Sequence, residues 1–306
     1  NMLSVVVPCF NEEETVKIFY DRITQEFLKL PDEYEIIFVD DGSTDLTAEK
    51  IKELREKDKR VQYLLFSRNF GKEGAILAGF EKAKGEYTAL LDVDLQDPVE
   101  LIIPMYKGVK DEGYDSCGAR RVSRKGEPPI RSMFAKMFYF IMQKILKINV
   151  VDGARDFRLM NRRYLNAVLS LHEKTRFSKA LMPWVGFKTK YFEFENVERV
   201  AGETKWSFKK LLLYALDGIF AFSDIPLHLI SAFGTLFFIL SIVISLGVLG
   251  FNAIFDGEIS GKTLICSIVL FTAGVQMLCF SVLGQYVAKI YTEVKGRPQY
   301  IVREES

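Results

Sequence analysis

The chain has 306 residues, 41 of them basic and 40 acidic, for a net charge of +1. That near-zero balance averages two unlike parts and by itself says little about partners, although no nucleic-acid partner is expected. Four cysteines (Cys9, Cys117, Cys266, Cys279) without CxxC spacing argue for reduced thiols rather than a disulfide framework, and two distant histidines (His172, His228) argue against zinc.

In chain order, Ser4-Val-Val-Val-Pro-Cys-Phe10 reads as a buried parallel strand, reached too early to leave room for a secretory signal peptide. Asn11 then reads as the N-cap of an amphipathic helix reaching about Leu28, with Glu12 to Glu14 in its first turn. A second strand, Tyr34 to Asp41, ends in acids, and Gly42-Ser-Thr-Asp45 turns into a helix through about Lys57. A third strand, Val61 to Phe66, is followed by Ser67-Arg-Asn-Phe-Gly-Lys-Glu-Gly74 and a helix to about Ala83. Strand and helix alternating through short loops predict an α/β fold with a mainly parallel sheet.

The stretch Tyr87-Thr-Ala-Leu-Leu-Asp-Val-Asp-Leu-Gln-Asp-Pro98 carries the chemistry. An apolar strand runs into Asp92, Asp94 and Asp97, acids that bury nothing and repel one another. At the carboxyl end of a strand in an open α/β sheet, this is where such folds hold ligands. In extended chain Asp92 and Asp94 point to one side and suit a hard cation, Mg²⁺ or Mn²⁺, with Gln96 as a further oxygen donor. Asp97-Pro98 reads as an N-cap and first helical residue. With Asp40 and Asp41, the cluster describes a nucleotide and metal site, and neither GxGxxG nor a P-loop is present.

Four ordered motifs carry a resemblance: Val7-Pro-Cys-Phe-Asn-Glu12, Val39-Asp-Asp-Gly-Ser-Thr-Asp45, Arg68-Asn-Phe-Gly-Lys72 and Asp92-Val-Asp-Leu-Gln-Asp-Pro98. They resemble the inverting, GT-A-fold glycosyltransferases of family 2 over roughly the first 220 residues. Two apolar spans near the C-terminus make the chain most similar to the polyprenyl-phosphate glycosyltransferases, relatives of dolichol-phosphate mannose synthase. The QxxRW motif of processive polysaccharide synthases is absent. The resemblance implies that Pro8, Phe10, Glu12, Asp40, Asp41 and Lys72 bind the nucleotide, with Asp92 near ribose or sugar. It further implies that Asp94 and Gln96 hold the metal and that Arg120, Arg121, Arg131, Arg199 and Lys205 serve phosphates. A carboxylate of the Asp152-Gly-Ala-Arg-Asp-Phe-Arg-Leu159 segment, Asp156, faces the acceptor in such enzymes, although a surface salt-bridge strip is the plainer reading of that segment.

Basic and large apolar residues alternate from Arg131 to Ile148, and Ser207 to Ala221 is similar, so both read as helices lying on an anionic membrane. Ile225 to Phe255 and Thr263 to Ala288 carry no charged residue, and each exceeds the roughly 20 residues a helix needs to cross a bilayer. Lys209, Lys210, Lys289, Lys295 and Arg297 flank the spans, which places both termini in the cytoplasm. The expected layout is a catalytic domain over 1–206, a juxtamembrane helix over 207–224, two spans over 225–288 and a cytosolic tail over 289–306, the whole a multi-pass inner-membrane protein forming a homo-oligomer. The expected activity is inverting transfer of one sugar, glucose favoured, from a UDP-sugar to polyprenyl phosphate. Transfer to a lipid without phosphate, or a catalytically silent scaffold, are the competing readings.

Overall fold

The computed structural model describes residues 2–30, 32–122, 151–174, 176–195 and 261–306, together with 230, 232–237, 239, 240, 243, 246 and 247. The chain divides into two units, Asn1–Trp206 with Arg297–Ser306, and Ser207–Gly296.

In the first unit, period-two alternation along the strands builds two cores, one on each face of a single sheet. From β1 (Met2–Cys9), Leu3, Val5 and Val7 enter one core and Val6 the other; from β2 (Glu33–Asp40), Ile36 and Phe38 oppose Ile37 and Val39 in the same way. Helices α1 (Val16–Phe27), α2 (Thr47–Lys57) and α4 (Ile102–Lys110) close the first core with Phe19, Ile23, Ile51 and Met105. Helices α3 (Lys72–Lys82), α5 (Arg162–Leu169) and α6 (Ser178–Trp184) close the second with Ile76, Tyr164, Leu165 and Met182. Each such side chain contributes about 1.5–3 kcal/mol by leaving water.

The remaining strands are β3 (Val61–Phe66), β4 (Tyr87–Leu90), β5 (Ser116–Arg121), β6 (Ala154–Asn161), β7 (Thr189–Phe194) and β8 (Val302–Glu305), in the order β7-β5-β6-β4-β1-β2-β3-β8. The first four strands are mutually parallel, so their carboxyl ends share one edge. Strand β6 runs antiparallel to β4 and therefore begins at that edge.

Three local expectations are corrected. Helix α1 starts at Val16, not after Asn11; Asn11 has φ +53° and its side chain accepts from the Thr44 amide, so it ties two loops together. Glu12 to Glu14 accordingly precede the helix rather than forming its first turn. Asp97 does not cap: the following turn, Val99–Leu101, has Pro98 at its N-cap position, and Asp97 faces a cation instead. Within the C-terminal segment, Val302–Glu305 adds the edge strand β8 antiparallel to β3. Tyr300 stacks on Phe66 at 5.1 Å, Lys52 pairs with Glu304 at 2.7 Å, and Lys82 pairs with Glu305 at 3.1 Å.

The second unit holds α7 (Gly261–Lys295), of which Phe271–Lys295 is apolar and long enough to cross a membrane. Its large apolar side chains, among them Phe271, Met277, Leu278 and Phe280, are exposed, as a lipid-facing helix requires. It is the single such helix among the described residues. The expected first span, Ile225 to Phe255, falls mostly outside them, and the two expected interfacial helices lie wholly outside them.

Candidate active site

The register of the sheet brings the first pair of acids together. Leu90 lies opposite Arg158, so carrying the β4–β6 register on by two places sets Asp92 opposite Asp156. Two carboxylates facing each other need a cation, and Lys72, the first residue of α3, supplies it. Its Nζ lies 2.7 Å from Asp92 and 2.6 Å from Asp156. Burial alone would lower the Lys72 pKa, but the charges of Asp156 and then Asp92 outweigh it and hold the ammonium above its ordinary value. Burial alone would likewise raise Asp156, yet Lys72, then Lys179 and Arg155, hold it well below the usual carboxylate range.

Sequence reasoning missed a second cation. Arg155 donates from Nε to Asp97 at 2.7 Å and from a terminal nitrogen to the Gln96 amide oxygen at 3.3 Å. Asp97 is 2% exposed, and burial pushes its pKa up to about 6, with Arg155 only partly opposing. One oxygen of Asp97, Oδ2, is buried without a partner. The alternation of Arg155 and Asp156 in the sequence was the available signal, and a surface strip is its commoner meaning.

After Leu90 the chain turns, with Leu95 at φ +55°, yet Val93, Leu95 and Asp97 are buried while Asp92, Asp94 and Gln96 are half-buried. The three residues expected to meet nucleotide and metal therefore share the more open side. Asp94 accepts from the Gln96 amide at 3.2 Å. The donors are all hard oxygens, and the four carboxylates Asp92, Asp94, Asp97 and Asp156 outnumber the two cations ion-paired to them, Lys72 and Arg155. A divalent cation fits both features. Among the described residues no three His, Cys, Asp or Glu form a group that could by itself hold a metal ion.

The acids at the end of β2 have different partners. Asp40 accepts from the Ser43 hydroxyl and, at 3.3 Å, from its amide. Asp41, 4% exposed, accepts from the amides of Phe70 at 2.6 Å and Gly71 at 2.9 Å. Burial raises both pKa values, and these hydrogen bonds oppose the rise. Asp41 thus clamps the loop that presents Lys72. That loop presses against Gly42, where φ is +70° and a Cβ would lie 2.4 Å from the Arg68 carbonyl carbon, so no larger residue fits.

The ends of β1, β2 and β4 do converge: burial, then the charges of Asp40, Glu12, Asp92 and Asp45, raise the Cys9 thiol well above its ordinary value. Glu12 accepts from the Thr15 hydroxyl at 2.8 Å, Pro8 is half-buried, and Phe10 is 36% exposed at the rim. Arg120 is turned elsewhere, to the Asp152 carbonyl at 3.1 Å and to Glu193 at 3.1 Å, across the β5–β7 edge. Arg121 donates its amide to the Gly153 carbonyl. Arg131, Arg199 and Lys205 lie outside the described residues.

A family model described as Glycosyl transferase family 2 matches residues 4–169. The chain is 42% identical over 305 residues to a putative glycosyltransferase, CsbB, of Bacillus subtilis, covering 99% of this chain and 92% of the relative. It is 38% identical over 303 residues to the SfII prophage-derived bactoprenol glucosyl transferase of Shigella flexneri, covering 99% and 97%. A prophage bactoprenol glucosyl transferase homolog of Escherichia coli is 37% identical over 98% of both chains. A solved glucosyl-3-phosphoglycerate synthase from Mycobacterium tuberculosis aligns with 70% of this chain and 76% of its own, at 20% identity and a TM-score of 0.49, too distant to bear on ligands.

Proposed function

The chain belongs to glycosyl transferase family 2, and from that premise we propose that it moves one glucosyl group from UDP-glucose to the phosphate of a polyprenol, inverting the anomeric carbon, at the cytoplasmic face of a membrane. The observation that carries this reading is the near-full-length likeness to bactoprenol glucosyl transferases, which extends past the catalytic unit through the apolar C-terminal region. Two spans over 225–288 anchor the enzyme, and a homo-oligomer is the expected assembly.

Pro8, Phe10, Glu12 and Asp40 line the nucleoside pocket, while Asp41 acts on it by fixing the loop of Lys72. Asp94 and Gln96 hold a Mg²⁺ or Mn²⁺ ion, which when bound offsets charge on the departing diphosphate. Arg131, Arg199 and Lys205 join in holding phosphates. The acceptor phosphate carries about −1.5 to −2 charge at neutral pH and is already a nucleophile. Asp156 therefore has no proton to remove, and a carboxylate held so far below its usual range is a weak base. Its role is to orient Lys72 and balance positive charge developing at the sugar, a preorganised electrostatic function.

The test is incubation of the full-length enzyme with radiolabelled UDP-glucose and undecaprenyl phosphate, Mg²⁺ or Mn²⁺ present, and separation of lipid-linked product. Label in an acid-labile glucosyl phospholipid is the expected result. Label only in free glucose, or in diacylglycerol supplied alongside, would refute the assignment of acceptor.

A further inference from the structure

Arg158 stands on β6 two residues beyond Asp156, so both side chains leave the same face of the strand. It is 3% exposed, yet its hydrogen-bond partners are all neutral: the hydroxyls of Tyr164 at 2.9 Å, Tyr191 at 3.3 Å and Ser116 at 3.5 Å. Its Nε is buried with no partner, and among the described residues no carboxylate pairs with it. Arg155, three positions earlier, shows the ordinary arrangement, with Asp97 as counter-ion. A desolvated guanidinium without an anion is costly, and such charges are normally paired.

The space that Arg158 lines explains the omission. Asp156, Ser178, Lys179 and Tyr191 share that cleft, and Val151, Met182 and Pro183 give it an apolar wall. Lys179 is exposed at the rim, and its charge reaches Asp156. Two cations and an apolar wall beside Asp156 match a ligand with an anionic head and a hydrocarbon tail.

We propose that this cleft receives the acceptor: its phosphate lies between Arg158 and Lys179, and the first carbons of its prenyl chain lie against Val151, Met182 and Pro183. The proposal rests on the lipid-phosphate reading above and deepens it, because neither cation belongs to the basic set expected from sequence. The phosphate supplies the counter-charge that Arg158 lacks, and the shared strand face sets it beside Asp156.

Calorimetric titration of the full-length protein in detergent, with geranyl phosphate as one ligand and UDP with Mn²⁺ as the other, tests this. Arg158→Met keeps the volume while removing the charge, and Lys179→Gln changes an exposed residue that makes no core contact. Each should weaken geranyl phosphate about tenfold or more, as loss of a charge-assisted bond to phosphate implies, with UDP affinity unchanged. Arg158→Lys should recover part of the loss. Wild-type affinity for geranyl phosphate in both Arg158→Met and Lys179→Gln would overturn the proposal. Inorganic phosphate bound as tightly as geranyl phosphate would also overturn it, by removing the apolar wall from the site. If Arg158→Met unfolds, which its melting curve reveals, Lys179→Gln alone decides. Failure of the acceptor reading itself is distinguishable, since the wild-type enzyme would then make no glucosyl phospholipid at all.

Discussion

The acids that close β2 and those that follow β4 share one sequence signature, an apolar strand running into consecutive carboxylates, but they face different partners. Asp40 and Asp41 are turned to a hydroxyl and to backbone amides, neutral donors that fix loops. Asp92 and Asp97, with Asp156 across the sheet, are turned to Lys72 and Arg155. A carboxylate that accepts from neutral donors keeps its charge but has its position set by the fold. Carboxylates that compete for two cations form a poised cluster, whose excess negative charge a substrate or metal can change. The position of an acid at a strand end is therefore a weak guide to its role, and the partner decides.

The sharpest way to break this contrast is Asp156→Asn. The amide keeps the size and loses the charge that holds Lys72, so turnover should fall by about a thousandfold, with the native fold retained by circular dichroism. If instead turnover survives, the cluster is structural and the contrast with β2 collapses. Next in size, Asp94→Asn should lower turnover roughly a hundredfold through loss of cation binding. EDTA should stop the wild-type enzyme and added Mn²⁺ or Mg²⁺ restore it, whereas turnover indifferent to chelation removes the metal from the scheme.

Much of this was legible in the residues. The parallel strands up to Leu90, their intervening helices and the acid-bearing edge follow from apolar runs of strand length and turn chemistry. What could not be read was pairing over distance. Asp97 looks like an N-cap because Pro98 follows it, and only the antiparallel entry of β6 reveals that Arg155 reaches it. Asp41 reads as a nucleotide-binding acid, and nothing local marks Phe70 and Gly71 as its donors. The edge strand β8 was invisible for the same reason: Val302–Glu305 is four residues long and pairs with a strand more than two hundred positions earlier.

On the β2 side the expected effects are on stability first. Asp41→Asn leaves at least one of the Phe70 and Gly71 amides poorly satisfied, a loss of about 1–3 kcal/mol, read as a drop of several degrees in melting temperature. The pH dependence carries the sign that separates the two groups. Burial raises Asp41, so between its unfolded and folded pKa values the native state binds more protons and its contribution to stability declines as pH rises. Asp156 is depressed, so its contribution is present above the ordinary carboxylate range and is lost as pH falls. The stability gap between wild type and Asp41→Asn should narrow as pH rises through the carboxylate range, while the gap for Asp156→Asn should widen. Parallel melting curves for the two variants would mean that both acids sit in equivalent environments.

The smallest effect tests whether the loop clamped by Asp41 is also held from behind. Tyr300, on the segment leading into β8, stacks on Phe66 at 5.1 Å, and Phe66 meets Phe70 edge-on at 5.8 Å. The Ser67 amide donates to the Ile301 carbonyl at 3.0 Å, and a Cβ on Gly74 would lie 3.2 Å from the Gln299 carbonyl oxygen. The returning segment therefore touches the Lys72 loop at both of its ends, where β3 stops and where α3 starts. Tyr300→Ala removes one aromatic contact of about 0.5–1.5 kcal/mol, together with some apolar burial. Because Phe70 is both an Asp41 donor and a neighbour of Phe66, turnover should drop several-fold while UDP affinity stays constant. Tyr300→Phe loses only the hydroxyl contact with Glu81 and keeps the stacked ring, so its turnover should match wild type. A turnover deficit as large in Tyr300→Phe as in Tyr300→Ala would assign the effect to the Glu81 contact rather than to the rings. The loop would then owe its position to Asp41 alone.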